Sequence, residues 1–144
     1  MFLGQHSFSF DESNRLTVPP AFREELGRGA FITQGFDRNL WVLSAEAFQA
    51  VVARVAALNI ADPLARLLLR MVLGNAVELK IDESGHMLVP QELRDFAGLG
   101  KEAVLVGQGK YIEIWAPASW KQQELALQDA EANAGRFAGL AITG

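Results

Sequence analysis

The chain has 144 residues, half of them hydrophobic, with 13 basic residues, 17 acidic residues and a formal net charge of −4. This length predicts one domain, or two small intimate ones, able to bury a core without covalent staples. Cysteine is absent and the two histidines, His6 and His86, stand far apart, which excludes disulfides, thiolate chemistry and cysteine zinc sites and argues against a histidine metal site.

No apolar run approaches the roughly 18 residues of a membrane-spanning helix. Met1 to His6 lacks a basic stretch followed by an apolar one, so no secretory leader is expected and the cytoplasm is the default location. The acidic balance weighs against nucleic acid, because phosphate affinity comes from Lys and Arg. The position of the cations in space matters more than their sum.

In chain order, Phe8-Ser9-Phe10 alternates like a half-buried strand. Asp11 to Asn14 is turn chemistry, and Arg15 to Val18 returns as a strand, which predicts a hairpin. Pro19 and Pro20 then open a short helix, Ala21 to Leu26, closed by Gly27. Ala30 to Gln34 and Leu40 to Leu43 predict a second hairpin. Ser44 is a candidate cap for a helix carrying Phe48, Val51, Val52, Val55 and Leu58. Asp62-Pro63 opens another helix, with Leu64, Leu67, Leu68, Met71 and Val72 on one stripe and Gly74 at its end.

The pattern then recurs. Val77 to Ile81 reads as a strand, Asp82 to Gly85 as a turn, and His86 to Val89 as a strand. Pro90 to Ala97 is a short helix closed by Gly98, and Ala103 to Val106 with Tyr111 to Trp115 is a hairpin. Pro117 opens a helix through Trp120, Leu125 and Leu127. The tail from Asn133 is rich in Ala and Gly and is expected to fray.

Residues 11–23 and 82–94 are an internal repeat. Asp11, Glu12, Ser13, Val18, Pro19, Arg23 and Gly27 are matched by Asp82, Glu83, Ser84, Val89, Pro90, Arg94 and Gly98. This divides the chain into repeats at 1–74 and 75–144, joined by the central helices. Neither β unit can bury much surface alone. The expectation is an α+β, β-rich fold in which strands of one repeat pair with strands of the other and close one barrel, removing free edges.

Arg15 is the sharpest functional candidate. It follows Asp11 across a tight turn, and the carboxylate could cap the turn through backbone N–H groups or pair with the guanidinium. A guanidinium held on a β-turn can donate two hydrogen bonds to a phosphate or a guanine edge. The plainer alternative is a surface ion pair of roughly 0–1 kcal/mol. Arg23 and Arg94 occupy one repeat position and are expected to pair with Glu24 and Asp95; Arg28, Arg38 and Lys110 lie in predicted turns and could meet phosphates. Trp41 and Trp115 fall in apolar strands, which predicts packing rather than base stacking.

The motifs Asp-Glu-Ser-Asn-Arg-Leu-Thr-Val-Pro at 11–19 and Asp-Glu-Ser-Gly-His-Met-Leu-Val-Pro at 82–90 resemble the paired DxxxR motifs of the MraZ family. Met-Phe-Leu-Gly at the N-terminus, Gly35-Phe36-Asp37 with Leu40-Trp41-Val42, and Tyr111 to Trp115 are similar to its other segments. The resemblance spans nearly the whole chain. It implies tandem pseudo-symmetric SpoVT-AbrB units in a swapped-hairpin β fold with flanking helices. It also implies ring-like homo-oligomers and a nucleoid-associated repressor. That repressor would bind direct repeats of double-stranded DNA upstream of the division and cell-wall gene cluster, its own promoter included.

On that resemblance Ser13, Asn14 and Arg15 contact DNA, while Asp11 and Asp82 position their loops, since a carboxylate facing phosphate would be repelled. A ring repeating Arg15 around one face would add weak contacts as avidity without a basic subunit. The second motif departs from the pattern, with His86 at the arginine position. A neutral imidazole offers one donor and no charge, so His86 is assigned a reduced DNA role in preference to a pH-dependent contact. The alternatives are another AbrB-type regulator, such as an antitoxin-like protein, and an oligomeric scaffold that does not bind DNA. Asp11/Glu12 and Asp82/Glu83 could in principle hold Mg²⁺ or do acid–base work. No nucleophile–base pair, phosphate loop or cofactor fingerprint accompanies them, so no enzyme, metal or cofactor is expected.

Overall fold

The computed structural model describes residues 1–142. Eight strands and six helices follow one another: β1 (Gln5–Ser9), β2 (Arg15–Thr17), α1 (Pro20–Gly27), β3 (Ala30–Gln34), β4 (Leu40–Ser44), α2 (Ala45–Ala56) and α3 (Pro63–Val72). Then come β5 (Val77–Leu79), β6 (His86–Leu88), α4 (Gln91–Phe96), β7 (Glu102–Gly107), β8 (Tyr111–Trp115), α5 (Pro117–Gln128) and α6 (Ala130–Phe137). The fold is α+β, with every strand pair antiparallel.

Six strands form one sheet in the order β1-β7-β8-β4-β3-β5, and β2 and β6 form a separate two-stranded ribbon. Exchanging each strand for its counterpart in the other repeat, and reading from the opposite end, returns the same order. Strands of one repeat do pair with strands of the other, at β1–β7, β3–β5 across the connector, β4–β8 and β2–β6. The barrel expected from the sequence is not closed, because the sheet ends on β1 and β5. Pro19 and Pro90 directly follow the motif segments, and neither can donate to a ladder. The ribbon strands therefore stay three residues long.

The first hairpin also differs from expectation. The turn forms, with Asp11 N–H donating to Arg15 O (2.9 Å) and Asn14 N–H to Asp11 O (3.1 Å). Its two arms then part. β1 lies along β7, with Phe8 opposite Ala103, and Phe10 N–H still donates to Lys101 O (2.8 Å) just before the turn. β2 crosses to β6, where Leu16 faces Met87, and both side chains are fully buried. An isolated hairpin is marginal in water, and exchanging partners gives each arm a strand to pair with, burying Leu16 and partly burying Phe8. The second hairpins, β3–β4 and β7–β8, form as predicted.

One core joins the repeats. Leu16, Val18, Phe22, Ile32 and Leu40 pack with Met87, Leu105, Ile112 and Ile114. Phe2 joins them, edge-on to Phe22 at 5.1 Å. The N-terminal backbone is held by reciprocal bonds between Phe2 and Gly109. Gly107 is required there, since a β-carbon would collide with the Phe2–Leu3 backbone.

The opposite sheet face is covered by helices. Phe48 stacks on Phe31 at 4.4 Å, and Trp120 meets Trp115 at 5.6 Å. Ser44 caps α2 and Asp62 caps α3, as the sequence suggests. α2 stops at Ala56, short of Leu58. The tail does not fray at Asn133. It forms α6, because the Asp129 carboxylate accepts from Ala132 N–H and Asn133 Nδ2 donates back to Ala126 O (2.8 Å).

Candidate nucleic-acid interface

The two motif turns share one backbone design. Asp11 Oδ1 accepts from Ser13 N–H (2.8 Å) and Arg15 N–H (2.9 Å). Asp82 Oδ1 accepts from Ser84 N–H and His86 N–H, both at 2.9 Å. Each aspartate therefore caps its own turn, and among the described residues Asp11 makes no ion pair with Arg15. The residue before Arg15 or His86 must adopt positive φ: Asn14 at 60° and Gly85 at 79°. Asparagine and glycine are the residues that tolerate this region.

The β2–β6 ribbon brings the turns together, pairing Arg15 with Leu88 and Thr17 with His86. Arg15 Nε stands 3.7 Å from Asp82 Oδ2, and His86 Nδ1 stands 3.5 Å from Asp82 Oδ1. The His86 N–H bond, then the Ser84 N–H bond and the His86 and Arg15 side chains, hold the Asp82 carboxyl below its ordinary range against the opposing effect of burial. Asp11, Glu12, Ser13, Asn14 and Arg15 are all exposed, as are Asp82, Glu83 and Ser84, while His86 is half-buried. Arg15, Asp82 and His86 thus form one cluster. Ser13 and Asn14 sit on the first turn, and their side chains make no hydrogen bond among the described residues.

The two helix arginines depart from expectation. Glu24 is taken by Arg28 (3.1 Å) and Asp95 by Gln91 (2.7 Å). Arg23 instead donates from Nε to Val18 O (2.9 Å) and lies against Gly85 in the second turn. Arg94 turns inward and is buried. It donates from Nη2 to Gly100 O (3.0 Å) and sits over the Phe10 ring at 4.2 Å. Arg38 adopts positive φ in its turn and lies 5.9 Å from the Phe96 ring.

Sequence reasoning missed a second polar cluster in the centre of the sheet. Asn39 is buried and donates to Glu113 Oε2 (3.0 Å), and Trp115 Nε1 donates to Glu113 Oε1 (3.1 Å). Burial pushes the Glu113 carboxyl up, against these two bonds. The available signal was a lone carboxylate in the apolar run Tyr111 to Trp115. Trp41 is half-buried between Phe36 and Tyr111, while Trp115 and Trp120 are core residues. Among the described residues no His, Asp or Glu cluster could hold a metal ion. No helix among the described residues is long and apolar enough to cross a membrane.

The sequence matches the family described as "MraZ protein, putative antitoxin-like" twice, over residues 1–71 and 72–138. A protein of Thermomicrobium roseum named transcriptional regulator MraZ is 39% identical over 97% of this chain and 99% of its own length. A Roseiflexus protein of the same name is 38% identical over 92% of each chain. One from Corynebacterium diphtheriae is 37% identical over 96% of this chain and 98% of its own. Two capped turns on one ribbon, two family matches in tandem and full-length relatives lead to one conclusion: the chain belongs to the MraZ family of transcriptional regulators.

Proposed function

We propose that the chain is a sequence-specific DNA-binding repressor built from two repeat units, 1–74 and 75–144, that present the motif turns to the major groove. The observation that carries this reading is the exposed Arg15 guanidinium on a turn whose backbone is fixed by Asp11. A donor fork on a rigid turn loses little freedom on binding a phosphate or a guanine edge. Ser13 and Asn14 offer further donors beside it. Asp11 and Asp82 position the loops, and His86 contributes less than Arg15. Cytoplasmic, nucleoid-associated action at direct repeats upstream of its own gene and the division and cell-wall cluster completes the reading.

An exposed apolar face fits self-association. Leu64 and Leu67 on α3 and Leu58 beside it are exposed, and with Leu68 and Met71 they line an apolar groove. We assign this face to a second copy of the chain in a ring-like oligomer. Repetition of Arg15 would then supply avidity despite the net negative charge.

The test is binding of the full chain to the duplex immediately upstream of its own coding sequence, with an unrelated duplex beside it, at several salt concentrations. Specific, salt-sensitive binding that Arg15→Ala abolishes is the expected result. Equal affinity for both duplexes overturns the reading and leaves an assembled scaffold.

A further inference from the structure

We propose that Arg23, a residue of the first repeat, supplies the DNA-contacting cation of the second motif turn. This rests on the DNA-binding reading above. The second turn has no arginine of its own, because His86 occupies that position. Arg23 crosses to it from α1. A β-carbon placed on Gly85 would lie 2.5 Å from Arg23 Cζ, 2.6 Å from Nε and 2.9 Å from Nη2. The guanidinium therefore occupies the space that any other side chain at position 85 would need. Gly85 is correspondingly buried, whereas its counterpart Asn14 is exposed.

The charge on Arg23 remains available. Its Nε is committed to Val18 O, but Arg23 makes no ion pair among the described residues. Neither terminal nitrogen, Nη1 or Nη2, has a protein acceptor among them. The residue is partly buried rather than fully enclosed, which leaves its terminal donors for a ligand in front of the turn. Asp82 and Glu83, the turn's own carboxylates, would repel a phosphate, and a cation at Gly85 offsets them.

The counterpart arginine cannot do the same for the first turn. Asn14 carries a β-carbon where Gly85 has none, and Arg94 is buried over Phe10, a ring replaced by Ile81 in the other repeat. Each turn is thereby left with one available guanidinium. The first has Arg15, whose Nε faces Asp82 of the second turn at 3.7 Å, and the second has Arg23 delivered from the other repeat.

The experiment titrates the full chain into a fluorescein-labelled upstream duplex at four salt concentrations between about 50 and 200 mM. Arg23→Gln is expected to weaken binding about tenfold and to flatten the salt slope by about 0.9 for each copy engaged. Gly85→Asn should do the same, since it leaves Arg23 in the chain and displaces only its guanidinium. Adding His86→Arg to Arg23→Gln should restore most of the affinity and slope, which no purely structural role of Arg23 would allow. If Arg23→Gln melts early, Gly85→Asn decides by the same two readouts. Wild-type affinity and slope in the folded variants, with Arg15→Ala still defective, overturn the inference and leave the DNA reading standing. Absence of specific wild-type binding overturns both.

Discussion

The two motif turns have nearly superposable hydrogen bonding and unequal chemistry. In each, one aspartate oxygen accepts two backbone N–H groups and the chain closes on the same pair of bonds. Only side chains differ, and the smallest difference has the longest reach. Asn14 against Gly85 decides which helix arginine can lie on a turn, because only glycine leaves room for a guanidinium. Arg94, shut out of the first turn, goes into the interior over Phe10. A duplicated backbone therefore does not imply duplicated surface chemistry.

The comparison can be broken hardest at the ribbon. Leu16 and Met87 are repeat counterparts, face each other, and are both buried. Leu16→Ala and Met87→Ala should each cost about 2–5 kcal/mol in urea unfolding. A much smaller loss for one of them would show that the ribbon is anchored from one side only. Next in size is DNA affinity: Arg15→Ala should lose more than tenfold, about the range of a lost charged contact, and His86→Ala far less. Similar losses for both would make the turns equivalent after all.

Smaller effects follow from pH. Asp82 titrates below its ordinary 3.8 in the folded chain, so it stabilises the fold above that value and loses its contribution as pH falls through its lowered pKa. The stability gap between wild type and Asp82→Asn should therefore be full near pH 6 and close in strong acid. Glu113 is shifted the other way, above 4.5. Its ionisation disfavours the fold at neutral pH, and acidifying through its raised pKa relieves this. Relative to Glu113→Gln, wild type should gain stability as pH falls from 7 toward 4.5. A gap that moves with the opposite sign would mean that the hydrogen bonds from Asn39 and Trp115 outweigh burial.

Much of this was readable from residue order. The aspartate turns, the β3–β4 and β7–β8 hairpins and the caps at Ser44 and Asp62 follow from local chemistry, which acts within a few residues. The parting of β1 from β2 does not. The Phe8-Ser9-Phe10 alternation fixes which face is buried but not which strand lies alongside. The fate of Arg23 was equally hidden, because it depends on a missing β-carbon at Gly85, far along the chain. The Asn39–Glu113 pair escaped notice for the same reason: its partners belong to different repeats. α6 was missed because its alanines and glycine read as a loose tail, while Asp129 and Asn133 supply the capping bonds.

The interleaved strand order has a consequence for how such a chain can change over time. With β1 seated on β7 and β2 on β6, each half completes the other, much as two subunits of a dimer would. Two identical polypeptides would be bound to carry the same residue at both turns, so any substitution would appear twice. Covalent joining lifts that constraint. Position 14 can hold asparagine while position 85 holds glycine, and arginine and histidine can stand at equivalent sites without either being imposed on its twin. The single polypeptide keeps the architecture of a symmetric pair and gains an asymmetric pair of turns, with a left and a right that an identical pair could not distinguish.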